Sequence, residues 1–127
     1  MKKIILTAFL IFSFVAISLA ATADSSASTI AMNEFKQEIK SGKKIVILDV
    51  RSRDELTGSL GKIDGSINIP INELESRLPE LNKYKNEEIR VISRSGIPSK
   101  LAVEMLRNHG FNAANVIGGM MAFRRGD

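Results

Sequence analysis

Nine consecutive residues, Val91-Ile92-Ser93-Arg94-Ser95-Gly96-Ile97-Pro98-Ser99, hold most of the chemistry this chain can offer. An apolar strand runs into them and a helix runs out, so a hydroxyl, a guanidinium and a row of backbone amides gather at one strand-to-helix turn. A serine at such a turn can act as a nucleophile when a base stands beside it. The single histidine, His109, lies at the far end of the helix that starts near Ser99, roughly 15 Å away at the usual helical rise. Hydrolysis by Ser93 therefore lacks its base. The second reading is a ligand site, since in parallel α/β sheets ligands sit at the carboxyl ends of strands, where loops enter helices. Arg94, Ser95, Gly96, Ile97, Pro98 and Ser99 form the candidate loop, in which Pro98 supplies neither an N–H nor a charge. Arg94 either holds an oxyanion, points to solvent or pairs with a nearby carboxylate.

Composition removes other chemistries. The 127 residues contain no cysteine, so a thiolate, a disulfide and lipid attachment through cysteine are all excluded. With one histidine, no cysteine and no tight carboxylate cluster, a zinc or iron site is not expected. Gly118-Gly119 is too sparse for a nucleotide loop and suits a tight turn. No cofactor is expected. Basic and acidic residues alternate in stretches such as Lys83-Tyr84-Lys85-Asn86-Glu87-Glu88, and the net charge of +4 is too small to argue for nucleic acid.

The elements that must position the loop follow from hydrophobic periodicity. Met32, Phe35 and Ile39 mark an amphipathic helix ended by Ser41-Gly42. Lys44 to Val50 reads as a strand buried on both faces, with Asp49 and Arg51 at its carboxyl end. Ser66 to Ile69 is a short strand, Ile71 to Leu78 a helix with Leu74 and Leu78 inward, and Ile89 to Ile92 a second apolar strand. Ser99 to Asn108 is a helix whose Leu101, Ala102, Met105 and Leu106 form one stripe, with Pro98 at its first position and Gly110 as its stop. Asn115 to Ile117 is a last strand, and a terminal helical turn runs through Met120, Met121 and Phe123. Helices alternating with buried strands imply a three-layer α/β domain with a mainly parallel sheet.

Ahead of the domain, Lys2 and Lys3 precede an apolar run from Ile4 to Ala20 and the small residues Ala21-Thr22-Ala23. This is the layout of a signal peptide over residues 1–23, followed by a polar linker over 24–28 and the domain over 29–127. Cleavage after Ala23 or Ala20 and retention as a membrane anchor are all compatible with it; in each case the domain is exported, to the periplasm in a bacterial cell. Loss of Lys2 and Lys3 leaves sixteen basic residues against fourteen acidic ones, a net +2 on the mature chain.

The stretches ILDVRSRDEL (47–56), GKIDGSINIP (61–70), VISRSGIPS (91–99) and GGMMAF (118–123) stand in the order and spacing of rhodanese-like domains, which residues 29–127 resemble. The resemblance implies a five-stranded, mainly parallel sheet flanked by helices. In active members it implies a sulfurtransferase, whose cysteine takes sulfane sulfur from a donor such as thiosulfate and passes the persulfide to a thiophilic acceptor. It places that cysteine at Ser93, where a hydroxyl cannot form a persulfide. It also expects arginine at Pro98, histidine at Lys62 and tryptophan at Phe123. By family position Arg51 and Glu55 form a structural ion pair, Asp49 is a strand-end hydrogen-bonding group, and Lys62 is a candidate at the pocket mouth.

Two accounts follow. Several coincident departures point to a scaffold that has drifted from sulfur transfer and retains an anion-binding or protein-interaction role, with small sulfur-containing or other anions, or a protein, as partner. The alternative is a sulfurtransferase carrying serine in place of its cysteine.

Overall fold

The structure, a computed structural model, describes residues 27–126. The expected signal peptide and residues 24–26 of the expected linker lie outside the described residues.

Five strands form one sheet: β1 (Thr29–Ile30), β2 (Val46–Asp49), β3 (Ile67–Asn68), β4 (Glu88–Ile92) and β5 (Asn112–Val116). Their spatial order is β1-β5-β4-β2-β3, and every pairing is parallel. The helices are α1 (Met32–Ser41), α2 (Ile71–Arg77), α3 (Pro98–Asn108) and α4 (Gly119–Arg124). Two 3₁₀ segments, Arg53–Thr57 and Leu78–Tyr84, complete the connections. This is the expected three-layer α/β arrangement.

Side-chain alternation along the strands divides the core in two. Val46, Leu48 and Val50, with Ile89, Val91 and Ala113, face α2 and α3, where Leu74, Ala102, Val103 and Leu106 meet them. Ile47, Ile92, Ala114 and Val116 face Phe35 of α1 and Met120 of α4. A parallel sheet covered on both faces must be apolar on both, and all four residues of β2 are buried.

Three expectations are corrected. The last strand begins at Asn112, not Asn115, because its register is set by pairing with β4, Glu88 opposite Asn112 and Val91 opposite Asn115. In α1 Ile39 is exposed, and Glu38 is the buried neighbour of Phe35. In α3 Leu101 points out, and Val103 takes its place in the core.

Glu38 is tolerated because Arg90, reaching down from β4, donates to both carboxylate oxygens at 2.8 and 2.6 Å. Lys43 adds a bond of 3.1 Å. The hydrogen bond from Arg90 is the main reason the Glu38 carboxyl is held below the usual carboxylate range, against a desolvation that pushes it up. A depressed folded-state pKa means that the unfolded chain binds the proton more readily. This contribution to stability is complete above the unfolded pKa and lost as pH falls through the folded one. Thermal midpoints measured between pH 6 and pH 3 are thus expected to fall, and Glu38→Gln to flatten that fall. Equal slopes for the two chains would refute the assignment.

Candidate functional site

β4 ends at Ile92 and α3 begins at Pro98, so residues 93–97 lie at the carboxyl end of a strand flanked on both sides, where ligands of open parallel sheets bind. Pro98 occupies the first turn of α3, the one place in a helix where its missing N–H costs nothing.

Ser93 is only 1% exposed. Its oxygen accepts the Gly96 N–H at 3.0 Å and lies 2.8 Å from the Ser99 hydroxyl. Ser99 in turn donates to Oδ1 of Asn115, whose Nδ2 donates to the Gly96 carbonyl at 2.9 Å. Gly96 has φ 88°, and a Cβ there would stand 2.8 Å from the Gly118 nitrogen, so glycine is required for the approach of the two loops. On the other side the N–H groups of Met120 and Met121 donate to the carbonyls of Ser93 and Arg94 at 2.8 and 3.0 Å. Gly119, with φ 58°, permits this; a side chain there would collide with both carbonyls. The glycine pair therefore joins the last helix to the loop, beyond its expected role as a turn.

The rest of the loop faces water. Arg94, Ser95, Ile97 and Pro98 are exposed, whereas Gly96 and Ser99 are buried. Among the described residues no acceptor meets the amides of Arg94, Ser95 or Ile97, and no carboxylate pairs with the Arg94 guanidinium. Of the three readings open to Arg94, pairing with a carboxylate is thus unfilled among the described residues, and its exposure is compatible with both the solvent-facing and the oxyanion readings.

Asp49 and Arg51 meet as a buried pair. Arg51 Nε donates to both Asp49 oxygens at 3.0 and 3.1 Å, and Nη2 to Oδ2 at 2.7 Å. Nη2 also reaches the Gly61 carbonyl at 2.7 Å, and Nη1 reaches the carbonyl, not the carboxylate, of Glu55 at 3.4 Å. The expected Arg51–Glu55 ion pair is thereby corrected. The Glu55 carboxylate instead accepts from the Ser52 N–H and hydroxyl, closing a capping box over the 3₁₀ segment.

Lys62 is exposed, on a segment whose Leu60 and Lys62 carbonyls accept from Arg124 at the end of α4; none of these bonds brings it to the loop. Phe123 packs on Phe35 with ring centroids 6.1 Å apart and belongs to the core beneath α1. His109 sits at the end of α3, its ring nitrogen 2.8 Å from the Met105 carbonyl. Asn115 is absent from the sequence candidates, although an asparagine between alanine and valine in a buried strand is the kind of residue that demands a partner.

The description "Rhodanese-like domain" matches residues 31–125. The Bacillus subtilis protein "Putative sulfur carrier protein YrkF" is 38% identical over 97 residues, covering 76% of this chain and 50% of that protein. Human thiosulfate:glutathione sulfurtransferase is 29% identical over 102 residues, 71% of this chain and 86% of that one. The crystal structure of a rhodanese-like domain protein from Staphylococcus aureus superposes with a TM-score of 0.68 at 32% identity, covering 76% of this chain and 91% of that one. The chain spans half the length of YrkF and 20–24% of plant proteins named adenylyltransferase and sulfurtransferase.

Proposed function

Because this chain belongs to the rhodanese-like domain family, we propose that it is an exported member without sulfur transfer, whose loop 93–99 receives small oxyanions. The observation that carries the first part is the buried hydroxyl of Ser93 in a chain with no cysteine. Oxygen at this position cannot accept a sulfane sulfur to form the covalent intermediate. Export is supported by the Lys2-Lys3 and Ile4–Ala20 pattern.

Anion binding is supported by the three amides without acceptors and by Arg94. The segments that build this surface, 93–103 and 116–126, contain Arg94, Lys100, Arg124 and Arg125 and no acidic residue. A protein-interaction role has its own observation. Among the described residues, four of the five exposed large hydrophobic residues, Ile97 at 70%, Leu101 at 59%, Ile117 at 52% and Met121 at 41%, lie in these same two segments. Apolar side chains grouped this way favour a partner surface.

The full chain is expected to show no turnover of thiosulfate with cyanide. Thiosulfate titrated into labelled protein is expected to shift the amide resonances of Arg94, Ser95 and Ile97. Arg94→Ala is expected to weaken binding about tenfold, the value of one charge-assisted hydrogen bond. Turnover by the unmodified chain, or resonances that do not move, would overturn the reading.

A further inference from the structure

The hydrogen bonds around Ser93 run in one direction only. The Gly96 carbonyl can only accept, so Nδ2 of Asn115 must face it and Oδ1 must face Ser99. A carbonyl oxygen also only accepts, so Ser99 spends its single proton on Asn115. In the contact between the two hydroxyls Ser93 is therefore the donor. The Gly96 N–H donates back to Ser93 and closes the circuit. Ser93 donates to Ser99, Ser99 to Asn115, Asn115 to Gly96 and Gly96 to Ser93. All four residues are buried, so water does not compete, and bonds aligned head to tail reinforce one another.

We propose that Asn115 is a positioning residue for position 93: acting through Ser99, it directs the proton of the serine inward, and a more acidic group at this position, such as a thiol, it holds in its neutral form. A neutral donor at 93 meets a lone pair of Ser99. An anion at 93 would meet the same lone pair, and Ser99 could turn its proton toward the anion only by leaving Oδ1 of Asn115 buried without a donor. The Gly96 N–H favours an anion at 93, and Asn115 opposes it. This inference rests on the reading of position 93 as the reacting position of the family fold.

The charged residues on the elements around Ser93 are Arg94 on the loop, Lys100, Glu104 and Arg107 on α3, Arg124 on α4, Glu88 and Arg90 on β4, and the paired Asp49 and Arg51 at the end of β2. None of them changes in the following comparison. A Ser93→Cys chain carries a single thiol, because the protein has no other. Its pKa is read from ultraviolet thiolate absorbance and from the pH dependence of alkylation. Adding Asn115→Leu, which keeps the fork at Cγ and removes both polar atoms, is expected to lower that pKa by about one unit, roughly tenfold more thiolate at a pH below it. The freed Ser99 proton then turns to sulfur. In a chain that also carries Ser99→Ala the same Asn115→Leu change is expected to have no effect. Asn115→Ala serves as a second test should leucine prevent folding.

A pKa that stays or rises on replacement of Asn115, or falls equally without Ser99, overturns the proposal. A site merely loosened by the substitution would lose the Gly96 N–H and move the pKa upward, the opposite sign. None of these readouts depends on turnover, so a failure here leaves the absence of sulfur transfer in the unmodified chain to be judged by its own assay.

Discussion

Ser93→Cys is expected to turn a chain that binds no sulfur covalently into one that carries one sulfane sulfur per molecule after exposure to thiosulfate. The thiolate introduced at position 93 attacks the sulfane sulfur, the sulfur–sulfur bond of thiosulfate breaks, and sulfite leaves with its electron pair. A persulfide remains on position 93. The loop is already folded for this, with the Gly96 N–H 3.0 Å from the side-chain atom that sulfur would replace and the amides of Arg94, Ser95 and Ile97 without acceptors. Turnover with cyanide is expected to be slow, because Pro98 offers the departing sulfite neither an N–H nor a charge. Pro98→Arg in the cysteine background is expected to raise turnover about tenfold, the value of one hydrogen bond to a charged group. Intact mass after thiosulfate treatment reads the first step and thiocyanate release the second. A folded variant with a titratable thiol that gains no sulfur would show that the loss extends through the loop. Cyanide turnover by Ser93→Cys that Pro98→Arg does not raise would favour the account in which serine replaced the cysteine of an otherwise working site.

Arg51→Ala is expected to destabilise the chain by about 3–5 kcal/mol, the cost of leaving a buried charge without its partner. Asp49 is fully buried and Arg51 nearly so. The guanidinium also ties the Gly61 and Glu55 carbonyls to the end of β2. Against a total stability of about 5–15 kcal/mol for a domain of this kind, the loss is a large share of the whole. Arg51→Lys is expected to recover only part of it, since an ammonium cannot reproduce the forked contact with the carboxylate. Urea denaturation reads both. A loss below about 1 kcal/mol on removing Arg51, the range of exposed ion pairs, would contradict the assigned role.

The same pair shows where the residues were legible and where they were not. Residues two apart on an extended chain share a side, so Asp49 was reachable from Arg51 by strand geometry alone. The pairing with Glu55, expected from family position, gave way because the Glu55 carboxylate closes a capping box with Ser52 over the 3₁₀ segment at residues 53–57. Leu101 fitted the apolar stripe of α3, yet the helix turns it outward beside Ile97, two residues from the loop's end. β1, only Thr29–Ile30, carries no periodicity, and its place beside β5 depends on residues more than eighty positions away.

The sequence by itself determined the alternation of helices and parallel strands, the position of the loop at the end of β4 and the absence of sulfur from it. Those properties follow from local periodicity and from atom type, and both are written in the residue string. Only the tertiary structure decided that the Ser93 proton points inward, that Arg51 belongs to Asp49, and that the amides of Arg94, Ser95 and Ile97 meet no acceptor among the described residues. Each of these depends on which donor has already been taken by a residue distant in sequence. Asn115, sixteen positions beyond Ser99 and on β5, settles which way the Ser99 and Ser93 hydroxyls donate at the position where the chemistry of the family resides.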